Sequence, residues 1–382
     1  MENPSKLMVL SSSKGKNVAN SHDRLIGLPE HIIHHIISFL GANDIARLSF
    51  ASKGYRQICI SSPYLYFDVD FASHECATKC SQFKEFLSKF LRSRNGQRIQ
   101  LLRFRWLCDS CECSHERPYD SWVCDALRCD VKELDIGCRL DEQNCFALPM
   151  SATGYASLRV LKLNLQDCCL DGLLPATLVS LEVLSLKSLR VYGALLEAWI
   201  STNCPSLKRL NLEAIKIMDG FPISSTSSLQ ELTIHNCYVS HVMGFCKNSI
   251  KGSSLKNTLS VSDKSDDNSQ FPISIAVSAE QLQTLSLKLY GSWWKGSVFE
   301  IQPQKLICVQ EAIVEFVDLQ FFITDKDICN SVLRAVQYAR VLQLSIQIIE
   351  VLSEEDHVKI LFGNLLDLVM VFEMVFQHLR MK

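Results

Sequence analysis

The sequence lacks a charge excess: its 382 residues hold 39 Lys plus Arg against 41 Asp plus Glu. No net field therefore draws it to nucleic acid or to an anionic membrane surface. It also lacks an apolar opening segment. Residues 1–22 are polar and lysine-bearing, unlike a secretory leader, so the 17 cysteines are read in a reducing, intracellular setting, nucleus or cytoplasm. That opening stretch, with Ser11, Ser12, Ser13, Lys14 and Lys16, has too little apolar surface to repay ordering and is expected to be disordered. A Gly-rich phosphate loop, a Gly-x-Ser-x-Gly elbow and a His-Glu-x-x-His helix are all missing. Their absence leaves no constellation that points to an enzyme or calls for a cofactor.

One cluster has the right donors for zinc: Cys108, Cys111, Cys113 and His115, with Cys124, Cys129 and Cys138 further along. A structural zinc site draws ligand pairs from separate segments, whereas these four fall within eight residues. They are read as a solvent-facing loop, and no metal is assigned. The apolar stretch from Ile360 to Phe376 is interrupted by Asp367 and Glu373. Its uninterrupted run is shorter than the ~20 residues that span a bilayer, so it is read as a final repeat or cap.

Hydrophobic residues make up 47% of the chain, enough for a large core in more than one domain. The strongest local pattern starts at Leu28-Pro29-Glu30. Proline loses no hydrogen bond at a helix start, and Glu30 suits the positive helix end. From there Leu28, Ile32, Ile36 and Leu40 recur every four residues, with Ile33 and Ile37 as a second row. A short helix with two apolar rows needs two surfaces to cover them, one of them supplied by another part of the domain or by a partner. His31, His34 and His35 read as its polar edge. Gly41-Ala42-Asn43-Asp44 stops this helix and offers Asn43 or Asp44 as the cap of a second, carrying Ile45, Leu48 and Phe50. Residues 53–60 form a third.

Downstream the motif Ser-Leu-x-x-Leu-x-Leu repeats, beginning at Ser157, Ser180 and Ser206, with Ile234 ending a fourth copy that starts at Ser228. A fifth runs from Gln281 to Leu287, and Val131-Lys132-Glu133-Leu134-Asp135-Ile136 is a weaker early copy. The middle leucines, Leu134, Leu161, Leu184, Leu210 and Leu232, are 27, 23, 26 and 22 residues apart, within the leucine-rich range of about 20 to 29. Such repeats stack, because one alone cannot hide its apolar face. Cys168, Cys169, Cys204 and Cys237 flank the strands as small core groups. Between the leucines lie residues facing the concave side: Lys162, Asn164, Ser185, Lys187, Asn211, Glu213, Thr233, His235, Ser286 and Lys288. Residues 253–261 hold a copy with one residue too many, followed by a polar loop through Ser269; Trp293 and Trp294 follow the next strand. A helix from Asp325 and a strand over 341–346 complete a further, divergent repeat.

The stretch from Asp23 to Ile60 resembles an F-box: Leu28-Pro29, the Ile-rich helix ending in Ser38-Phe39-Leu40, Asp44, Arg47-Leu48-Ser49, and Ser52-Lys53 before an aromatic. It departs from that family at Tyr55, where tryptophan is usual, and at Gly54, where a basic residue is more common. With the repeats, and with the helix at residues 120–127 leading into Leu134, the chain resembles the plant F-box/leucine-rich-repeat family, including its FBD-like members. The resemblance implies an α/β architecture: a small three-helix F-box, then a leucine-rich-repeat solenoid with a curved parallel sheet and a helical or irregular convex side. The expected divisions are 1–22 disordered, 23–65 F-box, 66–98 helical connector, 99–325 repeats and 326–382 divergent repeat or cap.

By that resemblance the chain is a non-catalytic substrate-recognition subunit of a Skp-cullin-F-box ubiquitin ligase. Leu28, Pro29, Ile32, Ile33, Ile36, Leu40, Leu48 and Tyr55 would bind the Skp-family adaptor and through it a cullin. Lys162, Asn164, Lys187, Asn211, Glu213, His235 and Lys288 would contact a protein substrate. The alternatives are a repeat scaffold not joined to a ligase, owing to Tyr55 and Gly54, and a variant in which a small molecule completes the concave surface.

Overall fold

The computed structural model describes residues 25, 27–70, 76–107, 119–138, 145–147, 153–172, 177–218, 222–224, 228–235, 237–239, 247–251, 258–263, 274–278, 280–290, 298–301, 306–317, 326–346, 348 and 362–371. Residues 1–22, the cysteine cluster at 108–115, the polar stretch 264–269 and Trp293–Trp294 lie outside the described residues.

Three short helices open the chain: α1 (Glu30–Ile37), α2 (Ala42–Ala51) and α3 (Lys53–Ser61). The carbonyl of Pro29 accepts from the N–H groups of Ile32 and Ile33, at 2.9 and 3.2 Å, so proline sits at the cap and starts the first turn. The cap of α2 is Gly41, whose carbonyl accepts from Asp44 and Ile45. Asp44 therefore lies inside the first turn, where its charge suits the helix end, and neither it nor Asn43 is the cap. For α3, Ser52 caps with its Oγ, accepting from the Tyr55 N–H at 3.1 Å.

The strands follow as β1 (Tyr64–Asp70), β2 (Leu101–Leu107), β3 (Glu133–Cys138), β4 (Cys145–Ala147), β5 (Val160–Gly172), β6 (Val183–Val191), β7 (Arg209–Glu213), β8 (Lys216–Ile217), β9 (Pro222–Ser224), β10 (Glu231–His235), β11 (Tyr238–Val239), β12 (Lys247–Lys251), β13 (Thr258–Asp263), β14 (Ser274–Ser278), β15 (Thr284–Tyr290), β16 (Val298–Ile301), β17 (Glu311–Val317), β18 (Val341–Ser345) and β19 (Asp367–Val371). The main sheet runs β1-β2-β3-β5-β6-β7-β10-β13-β15-β17-β18-β19, each strand parallel to its neighbours. Helices α4 (Cys76–Ser93), α5 (Tyr119–Leu127), α6 (Gly193–Asn203) and α7 (Lys326–Ala335) lie in return segments between rungs.

Two differences from the sequence expectation stand out. The segment 66–98 is not only a helical connector: β1 is already a rung, paired with β2 from Tyr64–Leu101 to Asp70–Leu107. And the return side is not only helical or irregular, because β9, β12, β14 and β16 form a second parallel sheet there. Ser274-Ile275-Ala276-Val277-Ser278 alternates apolar with small residues, a period of two that suits a strand, and Val298-Phe299-Glu300-Ile301 is rich in β-branched and aromatic residues. Helix α6 packs on β9 and α7 on β16, so both edges of this sheet are flanked by helices.

Register stacks the repeat's apolar positions into buried columns. Leu65, Leu102, Leu134, Leu161, Leu184, Leu210, Leu232, Leu285, Ala312 and Leu342 form one, continued in register by Leu259. Phe67, Phe104, Ile136, Leu163, Leu186, Leu212, Leu287, Val314 and Leu344 form the next. At the turn before each strand a third column holds Ile99, Val131, Leu158, Leu181, Leu207, Leu229, Leu282, Val309 and Ala339. A backbone ladder locks this turn: the Lys132 carbonyl accepts from Arg159 and Val160, that of Arg159 from Glu182 and Val183, and that of Glu182 from Lys208 and Arg209. The recurrent serine adds a rung-to-rung bond, Ser157 Oγ to the Val131 carbonyl at 3.1 Å and Ser228 Oγ to the Leu207 carbonyl at 2.8 Å.

Where the strands bend away from the main sheet, Gln166, Ser188 and Ala214 take positive φ of 31°, 51° and 52°. A non-glycine residue there costs about 1 kcal/mol. Ala214→Gly is therefore expected to stabilise the protein by up to about 1 kcal/mol in chemical denaturation, and Ser228→Ala to destabilise it by about 1 kcal/mol.

Candidate interaction surfaces

Helix α1 divides its two apolar rows as its short length demands. Ile33 and Ile37, 4% and 0% exposed, close a core with Ile45 and Cys59. Leu28, Ile32 and Ile36 remain 39%, 39% and 38% exposed. Ile33, expected at the adaptor contact, is thus a core residue of the three-helix unit; its row faces inward by the helical period. Leu40 and Leu48 are half-buried against the same core, Tyr55 is half-buried and Pro29 is exposed. Two large apolar residues missing from the predicted set are the most exposed apolar ones described in this unit: Phe39 and Phe50, each at 76%. Phe39 was legible as the next member of the Ile32-Ile36 stripe, seven residues on from Ile32.

His34 is not on the polar edge. It is buried, with Nε2 3.0 Å from Ser61 Oγ and 3.7 Å from Glu30. Burial lowers its pKa, Glu30 opposes that shift, and the Arg94 charge adds to the lowering.

On the solenoid, the residues between the inward leucines share one face in three rows. Three of its predicted contact residues, Lys162, Lys187 and Glu213, are already engaged in ion pairs. Lys162 Nζ lies 2.6 Å from Glu133, and Lys187 Nζ 2.5 Å from Glu213, each pair bridging neighbouring strands. Arg103 and Arg105 share Asp135, at 3.0 and 3.9 Å, and Arg103 sits 5.3 Å from the Tyr66 ring centroid. Gly137 makes room for this group, since a Cβ there would stand 3.3 Å from Arg105 Cγ. Farther along, Gln343 donates to Glu315 at 2.8 Å. Asn211 and His235 are half-buried on the face, and Asn164 Oδ1 is buried with no hydrogen-bond partner among the described residues. Lys288 is on the same face by register with Glu315, its side chain being outside the described ones.

The cysteines beside the strands sit in the core: Cys138, Cys168 and Cys204 are buried. Burial pushes the Cys59 thiol up to about 11, that of Cys204 up to about 12, and that of Cys138 upward too. Such thiols stay protonated and unreactive at neutral pH. Among the described residues no group of three or more His, Cys, Asp or Glu is placed to hold a metal. Behind β2 and β3, a small gap lined by Leu87, Leu91, Leu102, Phe104, Val123, Leu134 and Ile136 has no polar group to orient a ligand. No described helix is long and apolar enough to cross a membrane.

Residues 25–72 match the F-box-like family, and residues 119–292 match the LRR repeats of FBD-associated F-box protein At5g56370. In its helical unit and in its repeats alike the chain is similar to F-box/LRR proteins of Arabidopsis thaliana. Among its relatives in Arabidopsis thaliana, the F-box/LRR-repeat protein At3g58900 is 25% identical over 224 residues, 56% of this chain and 66% of the relative. The F-box/FBD/LRR-repeat protein At5g22660 is 26% identical over 202 residues, 53% of this chain and 42% of the relative. F-box protein At3g59000 is 28% identical over 223 residues, 56% of this chain and 44% of the relative. The chain thus spans between 42% and 66% of the length of these relatives. The F-box match covers α1 to α3 and β1, while the repeat match covers α5 to β15; the rungs β17 to β19 extend the solenoid beyond it.

The two rows of α1 separate fold from surface in a measurable way. Ile37→Ala is expected to cost 2–4 kcal/mol, roughly, as a buried large-to-small change, and Ile36→Ala well under about 1 kcal/mol; denaturant unfolding of both variants checks the difference. With its folded pKa depressed below 6.5, His34 binds its proton in the unfolded chain first. Stability is therefore expected to fall as pH drops below about 6.5, and less steeply in His34→Gln, read as melting temperature against pH.

Proposed function

We propose that this chain is the substrate-recognition subunit of a Skp-cullin-F-box ubiquitin ligase, its F-box binding the Skp-family adaptor and its solenoid a protein substrate. The uncovered row Leu28, Ile32 and Ile36 carries this reading, since the opposite row of the same helix already completes the domain's core. Phe39 and Phe50 extend the apolar surface offered to the adaptor. Covering three aliphatic side chains from this degree of exposure supplies roughly 1 kcal/mol each, about 100-fold in affinity together.

In this role the chain contributes position, and no acid, base or nucleophile. Ubiquitin leaves a thioester on another protein, and holding the substrate beside it raises the effective concentration of the attacking lysine. Helix α2 packs on β1, so the adaptor-binding unit and the first rung share one hydrophobic core, an arrangement suited to holding a substrate at a set distance.

A second reading, a repeat scaffold outside any ligase, draws on Tyr55 and the exposed Gly54, which replace the larger aromatic and the basic residue usual in this motif. Co-purification separates the two. The full chain is expected to retain a Skp-family adaptor and cullin, and the Leu28→Ala, Pro29→Ala double variant to lose both while its melting temperature changes little. Binding kept by the double variant would refute the assigned contact, and no adaptor binding by the unaltered chain would favour the scaffold.

A further inference from the structure

At the turn before each strand, the residue whose carbonyl joins the backbone ladder also places its side chain at the solenoid's rim. On the early rungs these side chains satisfy one another: Glu182 takes Arg159 at 3.7 Å and Lys208 at 3.1 Å. On the late rungs they do not. Gln283, Gln310 and Arg340 follow one another in the same ladder, the Gln283 carbonyl accepting from Gln310 and Glu311, and the Gln310 carbonyl from Arg340 and Val341. All three are exposed, and none of their side chains has a hydrogen-bond or ion-pair partner among the described residues.

These residues line a cleft of about 390 Å³ at the turns before β15, β17, β18 and β19, four successive strands of the main sheet. Gln281, Tyr338 and Asn364 line it with them, and Ile307, Cys308 and Val309 complete it. The cleft opens where the turn column thins from Leu282 to Val309 and Ala339. Its volume is that of a ligand site. The lining holds four carboxamides, a phenol and one guanidinium, and no carboxylate. The nearest acids in register are Glu311 and Asp367, on either side of Val341. They begin their strands beside the cleft without lining it, and neither forms an ion pair with Arg340.

We propose that this cleft binds a short acidic segment of a partner protein, with an Asp or Glu carboxylate on the Arg340 guanidinium and the segment's main chain on the carboxamides. The planar guanidinium fork matches a carboxylate bidentately, and here it has no carboxylate of its own. A carboxamide offers donors and an acceptor, as a peptide group does, so Gln281, Gln283, Gln310 and Asn364 suit main-chain N–H and C=O groups. Three strand spacings amount to roughly 14 Å, the length of about four extended residues. A phosphorylated residue, with nearly two negative charges, calls for more than one cation. A basic segment finds no carboxylate in the lining. The site lies at the opposite end of the sheet from β1 and the helical unit, so it goes beyond the adaptor contact and does not depend on it.

The test uses the full chain and short, labelled, C-terminally amidated peptides in four sets, with Asp/Glu, the isosteric Asn/Gln, Lys/Arg or phosphoserine at the centre. Fluorescence anisotropy is expected to show the acidic set binding about 10-fold tighter than the Asn/Gln set, an advantage that shrinks between about 50 and about 300 mM salt. Arg340→Gln is expected to remove the advantage at an unchanged melting temperature, and Arg340→Lys, which keeps the charge without the fork, to retain part of it. Cys308, exposed in the lining, gives a second readout: its alkylation, followed by peptide mass spectrometry, is expected to slow when the acidic set is bound. Equal affinity for the Asn/Gln set, tighter binding of a basic or phosphorylated set, indifference to Arg340→Gln, unchanged Cys308 alkylation, or no binding at all would overturn the proposal. Succinate competing as well as the acidic peptides would overturn the protein partner in favour of a small carboxylate. Ile32→Asp, deficient in adaptor binding on the ligase reading, is expected to keep peptide binding, and Arg340→Gln to keep the adaptor, so each reading fails or stands by itself.

Discussion

Everything in this molecule depends on one constraint: no rung can bury its own leucines. A strand of five to seven residues with two inward aliphatic side chains and a third at the turn before it has apolar surface on both flanks, and only another rung of the same period covers it. The columns through Leu134, Leu161, Leu184 and Leu210 are that constraint satisfied, and the carbonyl ladder at Lys132, Arg159 and Glu182 is the backbone consequence. Because each carbonyl there takes two donors from the next rung, a slip of one residue would leave buried N–H groups without partners. Burial and hydrogen bonding thus select the same register.

The same logic explains how the helical unit joins the solenoid. The first rung would otherwise expose Leu65 and Phe67, and α2 covers it along with α4, whose Phe90 and Phe83 pack on the Phe67 ring. The carbonyl of Pro63 accepts from Gln100 and Leu101, so the backbone ladder starts at the residue that leaves the helices. Apart from the adaptor contact proposed for it, the three-helix unit serves as the solenoid's first cap.

Legibility in the sequence tracked how closely each rung kept the leucine pattern. Five copies read directly because Leu or Ile held all three apolar positions. β17 escaped because Ala312 stands where leucine is usual, and β1 because Tyr64-Leu65-Tyr66-Phe67 has no leucine at the turn before it. On α1 the two-row pattern implied two surfaces, but only packing against Ile45 and Cys59 decides which row is inner, and Ile33 fell on the other side of that decision. The concave face was placed by alternation alone. Whether Lys162 and Lys187 are free or paired depends on residues 26 to 29 positions away, Glu133 and Glu213, which no local pattern connects.

Among the described residues the columns end at β19 without cover. Leu368 and Met370 continue the inward rows in register with Leu342 and Leu344, yet they are 51% and 50% exposed, with Leu366 and Val369 beside them. A stack held by nearest-neighbour contacts loses about half of an end rung's interface, so that rung opens at less cost than one in the middle. With the helical unit closing the β1 end, the two ends of the described stack are unequal. Within that stack denaturation has a direction: rungs peel from β19 inward, and the face carried by the central rungs outlasts the strands that follow it.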